Sequence, residues 1–203
     1  MTSELQEQSS RASSYGRDIR GIFRALWAAT IDAEMAFDLM NDTVWIGLTR
    51  AFTEGTAQCG VVPAEWTPAE KDALRDAIYN EQGRIWPALM FVEINSKANG
   101  GKLGPVTARA QVWVNRYRDV ANMAKVMACA DKKLEWVLGP TKKHCSSCIR
   151  LAGKIKRGST WDRRGIRPQN PPNPMLECQG YNCLCDLRVT NLHLSPGPLP
   201  RLP

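Results

Sequence analysis

Histidine is nearly absent from this chain of 203 residues: His144 and His193 are the only two, and neither adjoins a nucleophile-bearing motif. Histidine-based nuclease or hydrolase chemistry therefore has little to stand on. Long apolar runs are missing too. The longest uncharged one, IWPALMFV, has eight residues, against roughly 18 to 20 for a membrane span, so no crossing is expected. The first fourteen residues, MTSELQEQSSRASS, are too polar for a secretory leader. NGGKLG has the composition of a phosphate-cradling loop without its G-x4-G-K-[ST] spacing, and reads as a turn. Acidic residues are scarce in one region only. Residues 141–190 carry ten Lys and Arg against three acids, Asp162, Glu177 and Asp186, whereas the rest of the chain has 17 of each sign. The net +7 of that segment suits a solvated basic face, or contact with phosphates or an acidic protein surface.

What the chain does have, ahead of residue 140, is helical periodicity. Ile19, Ile22, Phe23, Leu26, Ala33, Phe37, Met40, Val44, Leu48 and Ala51 form a stripe over residues 17–58. This is one long helix or two, with MNDTVW as the break and Asp42 as a fresh N-cap. TPAE restarts a helix through a capping box, with Thr67 as N-cap, Pro68 in the first turn and Glu70 reaching back. Leu74, Ala77, Ile78, Ile85, Leu89 and Val92 extend it, and Pro87 should kink it. A further helix is predicted from about Val106 to Leu138, stopped by Gly139 and Pro140. Trp27, Trp45, Trp86, Trp113 and Trp136 fall at helical spacing and read as core or interface residues rather than a ligand box.

After residue 140 the helical period disappears. Gly, Pro, Asn and Arg become frequent, GIRPQNPPNP forces turn or extended backbone, and only CDLRVTNL alternates like a strand. Roughly fifty residues with so few large apolar groups need a cross-link to fold. Five of the seven cysteines lie here, in KHCSSCIRLAGK and ECQGYNCLCDL, spaced C-x2-C-x29-C-x4-C-x-C: Cys145, Cys148, Cys178, Cys183 and Cys185. A C-x2-C turn presents two sulfurs on one side, a distant pair completes a tetrahedron, and thiolate ligands favour zinc. A fully thiolate shell marks a structural site rather than a catalytic one. Five thiols and His144 compete for four places. Cys145, Cys148 and Cys178 take three, and Cys183 or Cys185 the fourth. Residues two apart in a strand sit about 7 Å apart, too far to share an ion without a bend. A turn at Gly180 and Asn182 ranks Cys183 first and sends Cys185 toward Leu187 and Val189. His144 reads as an outer-shell donor, and Cys59 and Cys129 as isolated, buried apolar residues. Clustered thiols of this kind suit a reducing cytoplasm, where metal is favoured over disulfides.

The order W-x8-C-x2-C-x2-L-x-G, from Trp136 through Cys145, Cys148, Leu151 and Gly153, followed by a basic proline-rich stretch with PPNP and then NCLCDL, resembles the C-terminal motif of the Mu F-like head morphogenesis family of phage minor head proteins. That family's last element commonly reads Pro-Pro, a His, then Cys-Arg-Cys. Here Leu184 replaces the Arg, and Cys178 stands about where the His would be. The likeness covers about fifty residues. It implies a virion component made in the host cytoplasm, acting in head assembly beside portal, capsid or scaffold proteins, and travelling with the DNA.

The expected architecture is mainly α. Residues 1–15 are disordered, 16–139 form a bundle or hairpin of long helices, 140–193 form a basic zinc-stapled module with short β-strands, and 194–203 are a Pro-rich tail. The expected function is structural and non-enzymatic. The alternative is a nucleic-acid-binding zinc protein serving as packaging accessory or regulator, touching DNA through the basic module.

Overall fold

The computed structural model describes residues 3–141, 143–169, 172–181 and 183–202, the side chains of 3–10 excepted. It is mainly helical, with a small antiparallel sheet. The chain falls into two compact units, one of residues 1–51 and 72–117, the other of 52–71 and 118–203.

The first unit draws on α1 (Ser3–Trp27), α2 (Ala33–Ala57), α3 (Pro68–Gln82), α4 (Ile85–Ile94) and α5 (Leu103–Ala128). The N-terminal segment, expected to be disordered, is helical from Ser3, because Ala12 and Tyr15 extend the buried stripe of Ile19, Phe23 and Leu26 backwards. Tyr15 meets the Tyr117 ring at a centroid distance of 5.4 Å. Burial there raises the Tyr15 phenol above its ordinary range.

The α1–α2 break falls earlier than MNDTVW. It lies at residues 28–32, where Ala29 takes a left-handed φ of 56° and Asp32 caps the new helix by accepting from the Met35 N–H at 2.8 Å. Asp42 lies inside α2, whose buried side is Ala36, Met40, Val44 and Leu48. The Thr67 capping box forms as expected. The Glu70 N–H donates to Thr67 Oγ1 at 3.2 Å, and the Thr67 N–H donates to Glu70 Oε2 at 2.8 Å. Pro87 does not kink a continuous helix. The helix ends at Gln82, turns through Gly83 and Arg84, and α4 restarts with Pro87 in its first turn, where a missing N–H costs nothing. Trp113 is buried, whereas Trp45 is 56% and Trp86 46% exposed.

The second unit holds the sheet. The helix expected to run to Leu138 stops at Ala128, and β1 (Lys133–Val137) follows a turn at 129–132. Leu134 lies seven residues beyond Met127, which suits a helix, but Leu134 and Trp136 also alternate with Lys133, Glu135 and Val137 at the strand period of two. Both buried side chains then share one face. β1 is the central strand, antiparallel to β2 (Ile155–Arg157) and to β3 (Asp186–Val189), with Leu134 opposite Val189 and Trp136 opposite Leu187. Two short helices, α6 (Ser146–Leu151) and α7 (Gly158–Arg163), interrupt a stretch expected to have none.

This unit has an apolar core after all. Leu134, Trp136, Leu151, Trp161, Ile166, Leu176 and Leu187 are buried in one cluster with Cys148, Cys183 and Cys185. The Trp136 and Trp161 rings lie 5.7 Å apart, and the Trp161 indole N–H donates to the Leu134 carbonyl at 3.1 Å. Residues outside the expected 140–193 module supply part of that cluster, among them Val126, Cys129 and Leu134. The tail is docked rather than loose. Ser195 exchanges hydrogen bonds with the backbone of Ile155 at 2.9 and 3.0 Å, and Leu199 and Leu202 rest on the core.

Cys59 and Cys129, read from the sequence as isolated, are joined as a disulfide with a Cα–Cα distance of 5.4 Å, within the usual span of such a bridge. Both are buried, as expected. Their pairing departs from the all-thiol state that a reducing compartment maintains.

Candidate metal centre

Three backbone segments deliver the five remaining cysteines to one place. Cys145 is the N-cap of α6, and its sulfur accepts the Cys148 N–H at 3.4 Å. One turn of helix then puts Cys148 on the inner face with Ser147 and Leu151. Cys178 is tied to this pair by a clamp. Glu177 accepts from Ser146 through its N–H at 2.7 Å and its hydroxyl at 2.6 Å, and the Glu177 N–H donates to Ser147 Oγ at 2.9 Å. The Ser146 bonds hold the Glu177 carboxyl below its usual range. After Cys178 the chain reverses through Gln179 and Gly180, with φ of 50° and 80°, a left-handed pair in which glycine takes the second place at no steric cost. Part of the predicted turn, Asn182, lies outside the described residues.

Cys183 and Cys185 come from the extended segment leading into β3. That end is fixed from below by Lys125, a buried lysine whose ammonium donates to Asp186 Oδ1 at 2.9 Å and to the Leu187 carbonyl. Gln169, also buried, donates to the Cys185 carbonyl at 3.1 Å.

The sulfurs form two triads, Cys145–Cys148–Cys178 and Cys148–Cys183–Cys185, each with all its sulfurs within 4.8 Å of one another. Cys148 belongs to both. Cys183 and Cys185 both reach it, so the backbone bends where an ideal strand would have separated them. The Cys148 and Cys183 sulfurs are 3.8 Å apart, about the edge of a tetrahedron with zinc–sulfur bonds of about 2.3 Å. Either triad could hold a metal ion.

The surroundings suit thiolate. After the neighbouring sulfurs, the Gly180 backbone contributes to lowering the Cys178 thiol, and the Gly139 backbone and the His144 side chain to lowering Cys185. Hydrogen bonding with Cys178, then with Cys183 and Cys185, raises the Cys148 thiol, while the same contacts with Cys148 lower Cys178 and Cys185. Sulfurs this close cannot all carry charge unopposed, and a cation placed among them would relieve that conflict. The His144 ring lies beside Thr141, whose Oγ1 is 3.2 Å from its Nδ1.

Sequence context marks Gly139 only as a helix stop. It is part of the site, because a Cβ there would run into the Leu184 backbone between the two last cysteines. Gly139→Ala is therefore expected to destabilise the unit by about 1–3 kcal/mol and to weaken metal binding about 10–100-fold. A competition titration with a colorimetric chelator measures the second effect, and unaltered affinity would show that the close approach is dispensable.

The carboxylates near the cysteines have partners of their own. Glu177 serves the Ser146 clamp, and Asp162 lies 3.7 Å from Arg167. Among the basic residues, Arg150, Lys156 and Arg157 donate to the Arg201, Ser195 and Asp131 carbonyls. Lys143, Arg163, Arg164 and Arg188 are exposed, and Lys142 lies outside the described residues.

No helix among the described residues is long and apolar enough to cross a membrane. Compared with protein-family models, curated proteins and solved structures, the chain matches none.

Proposed function

We propose that this chain is a structural minor head protein of a tailed phage, without catalytic activity, whose cysteine-rich unit is stapled by zinc. The observation that carries the zinc reading is the convergence of five thiols from three segments into two triads of closely spaced sulfurs. Zinc suits an all-sulfur donor set better than the hard cations, which take oxygen.

The head assignment rests on the motif, and the fold gives its spacing a physical sense. Trp136 and Leu151 are fully buried, and the Gly153 N–H, at a φ of 71°, donates to the Trp136 carbonyl at 2.9 Å. The motif's Trp, Leu and Gly thus brace the turn that presents Cys148. Mass spectrometry of phage particles produced from the encoding genome tests the assignment. It should find this chain at low copy relative to the major capsid protein, and absence from both empty and DNA-filled heads would overturn it.

Exposed Arg163 and Arg164, at the end of α7 within the basic segment, favour a second reading, in which the unit binds nucleic acid. It predicts duplex-DNA affinity that falls steeply with salt, by a log–log slope of about −0.9 per phosphate contact. Arg163→Ala with Arg164→Ala should abolish most of it. Arg167→Ala should do less, since Arg167 is half-buried beside Asp162. Salt-independent or absent binding removes this reading and leaves the first.

A further inference from the structure

The sulfurs fall into two overlapping groups of three that share Cys148, with Cys178 also interacting with Cys183 across them. The triad of Cys145, Cys148 and Cys178 is partly open to solvent at Cys145 and Cys178, whereas Cys148, Cys183 and Cys185 are all buried. A single tetrahedral ion takes four donors and leaves a fifth cysteine unused. Here no cysteine is left aside, because each belongs to a triad, and the sulfur common to both is the most enclosed of its C-x2-C pair. A thiolate sulfur keeps lone pairs after binding one ion and can bind a second, which places Cys148 where a bridging ligand would sit.

We propose that the site is binuclear: two divalent ions of the zinc class, one in each triad, joined by the Cys148 thiolate. The inner ion takes Cys148, Cys183 and Cys185. The outer ion takes Cys145, Cys148 and Cys178 and leaves its fourth place to solvent. Two ions also offset most of the negative charge that one ion would leave uncompensated in a largely buried group of five thiolates. The two lobes differ in access. The outer ion should exchange readily with added metal or chelator, and the inner ion slowly.

This inference rests on the zinc reading above, and the test separates the two. The full chain, refolded with excess zinc sulfate and desalted, is weighed by native mass spectrometry. Two zinc ions per chain are expected, with release in two steps on chelator titration, the first at least tenfold faster. Cys178→Ser and Cys185→Ser should each keep one ion. Reconstitution of the unaltered protein with cadmium-113 gives a readout independent of any variant's folding: two resonances, coupled to each other through the bridging sulfur. Saturation at one ion per chain, with a single cadmium resonance and one cysteine alkylated in the folded protein, would overturn the binuclear site and leave a structural zinc intact. No bound metal at all would overturn both.

Discussion

Chelation at neutral pH should unfold the cysteine-rich unit. The expected result is loss of the near-ultraviolet circular dichroism of the packed Trp136–Trp161 pair, with a smaller loss of the helical signal. Structural zinc contributes on the order of 10–16 kcal/mol of apparent folding free energy near pH 7, as much as the whole stability of an ordinary domain, about 5–15 kcal/mol. The apolar cluster softens this without removing it. Leu134, Trp136, Leu151, Trp161, Ile166, Leu176 and Leu187 are buried, each worth about 1.5–3 kcal/mol in gross transfer terms. Against them stands about 1–2 kcal/mol of backbone entropy for every residue ordered, and most residues from 138 to 185 lie outside regular structure. A chelated protein with an unchanged near-ultraviolet spectrum and melting temperature would contradict this account.

Cys148→Ser should be the most damaging substitution of one side chain. Cys148 is 2% exposed and belongs to both sulfur triads, so its loss breaks both, while Cys145→Ser breaks only one. Serine fills nearly the same volume but offers a hydroxyl that binds zinc poorly at neutral pH. Metal affinity should fall by more than about 100-fold, beyond the range of about 10–100-fold expected when an outer-shell partner is removed. Cys59→Ser gives the control, since it removes a buried disulfide of the same unit and leaves all five candidate ligands in place. Its metal affinity should match that of the unaltered chain. Equal affinities for the Cys148 and Cys59 variants would place the metal, if any, elsewhere.

The parts legible in the sequence were those set by local spacing. Thr67 and Glu70 sit three apart, and a capping box needs nothing more distant. Cys145 and Cys148 likewise make their turn from adjacent residues, and the clustering of all five cysteines followed from having few other groups to cross-link that segment. What escaped were contacts between residues far apart in the chain. Cys59 and Cys129 are 70 residues apart, and nothing near either one announces the other. Lys133–Val137 carries both periods, and pairing with Ile155–Arg157 and Asp186–Val189 decided for the strand. Trp161 stands in the polar run GSTWDRRG with no apolar periodicity around it, yet it supplies the second ring of the core. The tail, rich in proline, had no pattern of its own, because its order comes from the edge of β2 at Ile155. Gly139 read as a stop signal, and only the approach of Leu184 shows why a side chain is excluded there.

X-ray absorption at the zinc edge, on protein purified without added metal, tests most directly whether these sulfurs hold an ion. The account predicts zinc in the preparation with a first shell dominated by sulfur at about 2.3 Å. A first shell of nitrogen and oxygen alone at about 2.0–2.1 Å, or zinc-free protein whose five cysteines all react as free thiols in the native state, would contradict it.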